Sequence, residues 1–203
     1  MKHKIICCSV VVLLFAAVVS ARTKTTREQV IAEVERLGGK VEFDETKTNR
    51  PIIKVDLHST KVADADLQIL KDLKEIQILD LRLTHVGDVG IANLRDLKEL
   101  RTLNLFRTQL SDQGLRDLRN LKKLETLLIG GTKVTDAGLV NLKQMKQLKK
   151  LSLFQTQISD LGIPHLKNLP NLETLLISGS RITDAGSKEL QKALPKVRFG
   201  ETT

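Results

Sequence analysis

The amino-acid sequence predicts an α/β solenoid with a right-handed path, in which each turn adds one parallel strand to a concave face and one short helix to a convex face. The first observation behind this prediction is a repeat of 24 residues that runs through most of the 203-residue chain. The second is that each repeat combines the alternating apolar spacing of a strand with the three-to-four-residue spacing of a helix. The third is that the chain is 41% hydrophobic but only 2% aromatic, so Leu, Ile and Val must build the core.

Three columns of residues mark the repeat. They are Thr60, Thr84, Thr108, Thr132, Thr156 and Ser180; Asp64, Asp88, Asp112, Asp136, Asp160 and Asp184; and Gly90, Gly114, Gly138, Gly162 and Gly186, with Asp66 in the first turn. The leucines ahead of each Thr should point inward from a strand, and we expect the buried Thr hydroxyl to satisfy backbone groups at the turn. We expect each Asp carboxylate to cap the helix that follows it.

The motif LxxLxLxxTxxTDxGLxxLxxL, which covers residues 52–195 in six turns, resembles the leucine-rich repeats of many exported bacterial proteins. It is also similar to the repeats of eukaryotic F-box substrate receptors, although the chain contains nothing that resembles an F-box helix bundle. Thr or Ser stands where the commonest repeats carry Asn. The resemblance implies a leucine-rich-repeat scaffold, and such a scaffold does not by itself specify what it binds.

The first 21 residues predict a signal peptide. MKHK is basic, residues 5–20 form an uncharged apolar run, and Val19-Ser20-Ala21 provides small residues for cleavage. The alternative is an uncleaved membrane anchor, because a run of 16 residues is near the minimum for spanning a bilayer. Cleavage would leave no membrane span and no cysteine, with 31 basic against 24 acidic residues, a formal charge of +7. We therefore expect export to the periplasm or the extracellular space.

Both ends of the solenoid need covering. Residues 22–51 contain REQVIAEVERLGG, an amphipathic helix that stops at a Gly pair, followed by a candidate strand, and they predict an N-terminal cap. Residues 196–203 predict an unfinished seventh turn, because Phe199 follows Leu175 by 24 residues and takes the inward slot of a strand.

A two-turn duplication accounts for the strongest internal similarity. Residues 98–145 and 146–193 are identical at 25 of 48 aligned positions, so the third turn matches the fifth and the fourth matches the sixth.

The concave face holds the candidate binding residues, since its strand side chains lie outside the core. The candidates are Phe106, Leu128, Gly130, Phe154 and Leu176 at one end and Asp56, His58, Asp80 and Arg82 at the other. Parallel strands about 4.8 Å apart should place Phe106 and Phe154 about 10 Å apart across a shallow notch at Gly130. An apolar zigzag of this kind is typical of a surface that meets a partner protein. The alternative is that the second Phe is a relic of duplication.

Two other functions compete with protein binding. Neighbouring strands should bring His58 near Arg82 and Asp56 near Asp80, as in a hydrolase or a metal-dependent enzyme. These groups stand on an open surface rather than in a desolvated pocket, so we predict no catalytic, cofactor or metal site. The second alternative is an envelope component that binds surfaces through its basic convex side, where residues 116–124 and 141–151 place Lys and Arg between inward leucines.

We therefore predict a noncatalytic module that recognises a partner protein through its concave strand face. The absence of Trp and Tyr, together with export, argues against a specific nucleic-acid partner.

Overall fold

A computed structural model describes residues 26–200, which form one sheet of eight strands arranged in chain order. The strands are β1 (Lys40–Phe43), β2 (Ile52–Asp56), β3 (Ile78–Asp80), β4 (Thr102–Asn104), β5 (Thr126–Leu128), β6 (Lys150–Ser152), β7 (Thr174–Leu176) and β8 (Arg198–Phe199). β1 is antiparallel to β2, and every other neighbouring pair is parallel. The predicted signal peptide, residues 1–21, lies outside the described residues.

One helical stretch connects each pair of parallel strands. The α-helices are α1 (Arg27–Arg36), α2 (Asp88–Ile91), α3 (Asp112–Leu118), α4 (Ile163–Leu166) and α5 (Asp184–Ala193), and 3₁₀ helices cover Asp64–Asp72, Ala92–Leu94, Asp136–Gln144 and Asp160–Gly162. The strand-and-helix solenoid predicted from the 24-residue period is therefore confirmed.

The core is a stack of aliphatic side chains contributed by successive turns. Leu103, Leu127 and Leu151 are paired in register in the centres of β4, β5 and β6, and each is 0% exposed. Each buried Leu contributes about 1.5–3 kcal/mol before conformational entropy is subtracted. The core needs no aromatic residue from the concave face.

Different elements cover the two ends of this core. At the N-terminal end, α1 buries Val30 and Val34, and β1 pairs with β2. At the other end, β8 pairs with β7 so that Phe199 lies opposite Leu175 and packs, half-buried, against the core.

The Thr column performs the role expected of it. Thr84, Thr108 and Thr132 are buried, and each hydroxyl donates a hydrogen bond to the backbone carbonyl three residues earlier at 2.6–2.8 Å. This bond closes the turn that ends each strand. In the last turn the hydroxyl oxygen of Ser180 instead accepts a hydrogen bond from the Ile182 amide at 3.3 Å.

The prediction that the Asp column caps the helices is wrong. Asp112 is the first residue of α3, and the helix is capped by the Ser111 hydroxyl, which accepts a hydrogen bond from the Gln113 amide. The Asp112 carboxylate instead accepts hydrogen bonds from the amide and hydroxyl of Thr135, 23 residues later, at 2.8 and 2.7 Å. The Asp side chain points along the solenoid axis, so it fastens one turn to the next.

The same pair of bonds joins every later turn of the column. Asp88 binds Ser111, Asp136 binds Ser159, and Asp160 binds Thr183, each through both a backbone amide and a side-chain hydroxyl. Asp64, the first member, binds only the amide of Gly87.

A left-handed residue precedes the Thr or Ser in each turn. Positive φ angles of 52–70° occur at Ser59, Leu83, Arg107, Gly131, Gln155 and Gly179. The backbone reverses here, at the end of the strand, and only two of the six turns use the glycine that this conformation favours.

Candidate functional site

The concave face is a grid in which each strand presents alternate side chains. One column runs through Asp56, Asp80 and Asn104 to Leu128, Ser152 and Leu176. The next column, at the end of each strand, runs through His58, Arg82, Phe106, Gly130, Phe154 and Ser178. The grid is therefore charged toward the N-terminal end and apolar toward the C-terminal end.

Phe106 and Phe154 are in contact, and the expected separation of about 10 Å is wrong. Their ring centroids lie 6.2 Å apart at an interplanar angle of 35°. Strand spacing alone ignores the rotation of side chains, and here the two half-buried rings lean toward each other over the intervening turn.

Gly130 makes this contact possible and lines no open notch, contrary to expectation. A Cβ on Gly130 would lie 3.2 Å from Cδ2 of Phe106, 3.2 Å from Cβ of Phe154 and 2.9 Å from the Phe154 carbonyl oxygen. Gly130 is buried beneath the rings. The apolar end of the face is therefore a raised aromatic pair.

Polar and aliphatic neighbours border this pair. The Arg107 guanidinium carbon lies 5.2 Å from the centroid of the Phe106 ring, within cation–π distance. Leu128 and Leu176 are half-buried in the adjacent column, on either side of the buried Ser152. The aromatic pair, Arg107 and the two leucines form what we call the aromatic patch.

The charged end pairs within each strand, so the expected approach of His58 to Arg82 is wrong. His58 Nδ1 lies 2.6 Å from Asp56 Oδ1, and Arg82 Nε lies 3.4 Å from Asp80 Oδ2. Asp56 and Asp80 do face each other in the strand register, as expected. We call these four residues the charged patch.

The pKa of Asp56 reflects two opposing influences. Burial raises it, but hydrogen bonds from the His58 ring and amide, with the positive charges of His58 and Lys54, outweigh burial and hold the pKa below its ordinary value. Asp56 is therefore ionised at neutral pH.

Each acidic residue of the charged patch also holds its own turn. Asp56 Oδ1 accepts a hydrogen bond from the His58 amide at 3.1 Å, and Asp80 Oδ1 accepts one from the Arg82 amide at 3.0 Å. Asn104 does the same for the Phe106 amide at 3.1 Å. Such Asx turns explain the column of Asp, Asp and Asn without a ligand.

Sequence reasoning missed Asn104 and Arg107 as site residues. Asn104 is buried and connects the two patches, because its Nδ2 lies 3.4 Å from Asp80 Oδ2 while its Oδ1 orients Phe106. Its place two residues after Asp80's own position in the next turn was visible as the column Asp56, Asp80, Asn104. Arg107 carried no comparable signal.

Within residues 26–200, no group of three or more His, Cys, Asp and Glu side chains is placed to hold a metal ion. Over the same residues, no helix has the length and apolar character needed to cross a bilayer.

Comparison with known proteins supports the fold. A family model described as Leucine Rich repeat matches residues 98–118. The sequence matches no protein of curated function. A solved internalin (inlF) from Listeria monocytogenes is similar with a TM-score of 0.56 and 18% identity, covering 85% of this chain and 53% of the internalin. Internalin C2 (inlC2) from the same species is similar with a TM-score of 0.48 and 21% identity, over 74% of this chain and 81% of that one.

The chain spans about half the length of the first of these internalins. At this level of identity the similarity shows a shared architecture. The chain is a leucine-rich-repeat solenoid.

Proposed function

We propose that this leucine-rich-repeat solenoid is a noncatalytic protein-binding module that recognises a partner protein through its concave strand face. The observation that carries the proposal is the aromatic patch, centred on Phe106 and Phe154 in contact at 6.2 Å. Repeat solenoids commonly use such extended faces for binding.

The core gives no reason for these aromatic residues. Aliphatic side chains fill every inward strand position of the central turns, and the Phe rings lie outside them, half-buried. Aromatic residues and Arg are enriched at the centres of protein interfaces, where a large rigid side chain buries much area at low entropic cost. Phe106 beneath Arg107 fits that composition.

The charged patch supports the same function as a polar border. His58 and Arg82 are 44% and 43% exposed, so both cations remain available to a partner while Asp56 and Asp80 hold their turns. Opposite charges beside an apolar centre favour correct orientation of a partner more than they add affinity.

A catalytic function built on Asp56, His58 and Asp80 has weaker support. Asp56 stays ionised, which is unsuited to a general acid, and both carboxylates are already occupied by turn amides. His58→Ala should therefore abolish no enzymatic activity, whereas an activity lost with His58 would reverse this conclusion.

Export is part of the proposal. We infer that residues 1–21 act as a signal peptide, that residues 22–51 cap the solenoid, that six repeats occupy 52–195, and that 196–203 form a partial turn and tail. The mass of the chain recovered from its source should begin at Arg22, and an intact N-terminus would favour the uncleaved anchor instead.

Photo-crosslinking tests the binding face. A benzoyl-phenylalanine at position 126, on concave strand β5, should form adducts with one partner protein, whereas the same probe at position 113, on exposed helix α3, should not. Phe106→Ser/Phe154→Ser should abolish the adduct at position 126 because it removes the aromatic pair.

The matched control is Val89→Ser/Leu161→Ser. These side chains are 75% and 78% exposed and lie outside the concave grid, so this variant loses apolar surface without changing the aromatic patch. With all variants folded by circular dichroism, equal adduct yields in both double variants would place the binding site elsewhere.

A further inference from the structure

The turns that join each helix to the next strand carry two columns of basic residues. The first column is Lys71, Arg95, Arg119, Lys143 and Lys167, and the second is Lys74, Lys98, Lys122 and Lys146. Both recur every 24 residues, so the solenoid stacks them into two rows along one edge, outside the concave grid. We call these nine residues the basic edge.

In the first two turns the basic edge serves the fold. The Lys74 ammonium donates a hydrogen bond to the Lys71 carbonyl at 2.6 Å, and Lys98 makes the same bond to the Arg95 carbonyl. These bonds satisfy carbonyls that the end of a helix leaves free. Asp96 lies within ion-pair distance of both Arg95 and Lys98, so the local charge is balanced.

The third and fourth turns keep the cations and lose the acids. Asn120 and Gln144 stand where the first two turns have Asp, and Lys123 and Gln147 stand where they have Glu. Lys123 pairs with Glu99 of the preceding turn. Within residues 26–200, four cations of these two turns form no ion pair: Arg119, Lys122, Lys143 and Lys146.

Two open grooves lie where these unpaired cations begin. One, of about 350 Å³, is lined by Lys98, Asn120, Lys122 and Lys123. The other, of about 200 Å³, is lined by Arg95, Arg116, Asp117, Arg119 and Asn120. Asn120 borders both, so each groove combines several positive charges with a carboxamide that can donate and accept hydrogen bonds.

We propose that the basic edge binds an anionic polysaccharide that lies along the solenoid axis. Lys and Arg pair with the carboxylate or sulfate groups of such a polymer, and the carboxamides of Asn120 and Gln144 pair with its hydroxyls. The regular stacking of turns presents the same groups again at each step, as a polymer of charged sugars requires.

The composition of the grooves favours this ligand over other polyanions. None of the four described Phe side chains lines either groove, so nucleic-acid bases have no ring to stack on. The exposed large apolar side chains, such as Val140, line neither groove, so insertion into lipid has no support. The site is separate from the aromatic patch and does not depend on it.

Binding of the full chain to dextran sulfate, with neutral dextran as the control polymer, tests the proposal. Wild type should bind only the sulfated polymer and should weaken as salt screens the charges. Arg119→Gln/Lys122→Gln/Lys146→Gln should weaken binding at least about tenfold, because it removes three cations that have no partner in the fold. Lys and Arg exchanged at the same positions should retain binding.

The matched control is Lys61→Gln/Lys133→Gln/Arg181→Gln. It removes the same net charge from another exposed column, next to the Thr and Ser turn residues, and should change affinity by no more than about twofold. Equal losses in both triple variants, or none in the first, would overturn the proposal.

Two further probes distinguish the ligand class. Single-stranded poly(dT) and vesicles containing anionic lipid should bind more weakly than dextran sulfate at the same salt concentration. Tighter binding of either probe, lost in the Arg119→Gln/Lys122→Gln/Lys146→Gln variant, would assign the basic edge to nucleic acid or membrane and overturn the polysaccharide proposal.

Discussion

The carboxylate of Asp112 occupies the space that a side chain on Gly138 would need. A Cβ at position 138 would lie 2.2 Å from Asp112 Oδ1 and 2.9 Å from its Cγ. Asp112 is held there by its two hydrogen bonds to Thr135, three residues before Gly138. The Asp and Gly columns are therefore one structural device, in which glycine in each turn makes room for the carboxylate of the turn before.

Gly138→Ala should destabilise the fold by about 1–3 kcal/mol, which urea denaturation can measure. Alanine has the better helix propensity by about 1 kcal/mol, so an intrinsic preference alone would give the opposite sign. The clash outweighs it because Asp112 can move only by giving up its bonds to Thr135.

A double-mutant cycle isolates this contact. Asp112→Ala alone should cost about 1–3 kcal/mol, since it leaves the Thr135 amide without its charged acceptor. In that background Gly138→Ala should cost at least about 1 kcal/mol less than in wild type. Asp184→Ala is the matched control, because Asp184 begins α5 in the same column but receives no bond from a later described turn. Additive costs at residues 112 and 138 would contradict the coupling.

The sequence contained enough information to predict this device, although the helix-capping interpretation missed it. The first turn has Asp66 in place of Gly, and the residue 26 positions earlier is Lys40 rather than Asp. Every later Gly has an Asp at that distance. Local rules assign an Asp at a helix start to its own helix, whereas the partner here lies one full turn away.

The left-handed column could be read from the sequence only in part. Gly131 and Gly179 are the sole glycines in it, while Arg107 and Gln155 adopt the same backbone conformation in the matching turns of the duplication. Side-chain identity therefore hides a backbone requirement that the turn geometry imposes. The aromatic contact was hidden for a related reason, since strand spacing fixes the Cα positions of Phe106 and Phe154 but not where their rings point.

Substitutions in the left-handed column should have opposite effects at glycine and non-glycine positions. Gly179→Ala, at φ +70°, should destabilise by about 1–2 kcal/mol, because an L side chain is strained there. Gln155→Gly, at φ +52°, should cost nothing or stabilise slightly, because the relief of strain offsets the greater entropy of the unfolded chain. Urea denaturation of both variants measures the contrast, and equal destabilisation would rule out backbone strain as the cause.

The hydrogen bond between His58 and Asp56 should make part of the stability depend on pH. The pKa of Asp56 is lowered in the folded state, so its ionisation stabilises the fold above the unfolded-state value of about 3.9. That contribution is lost as the pH falls through the lower folded-state pKa. His58→Ala removes the ring hydrogen bond and leaves burial, which raises the pKa, less opposed.

An NMR titration of the Asp56 carboxyl should therefore show a higher pKa in His58→Ala than in wild type. The difference in unfolding free energy between the two proteins should be largest above about pH 5 and should shrink in acid, once Asp56 is protonated in both. His58→Asn provides the control, because its carboxamide can still donate to Asp56 and should retain part of the lowering. An unchanged Asp56 pKa in His58→Ala would mean that the backbone bond from residue 58 alone holds the carboxylate ionised, and the His58 ring would then be free for a partner without any cost to the fold.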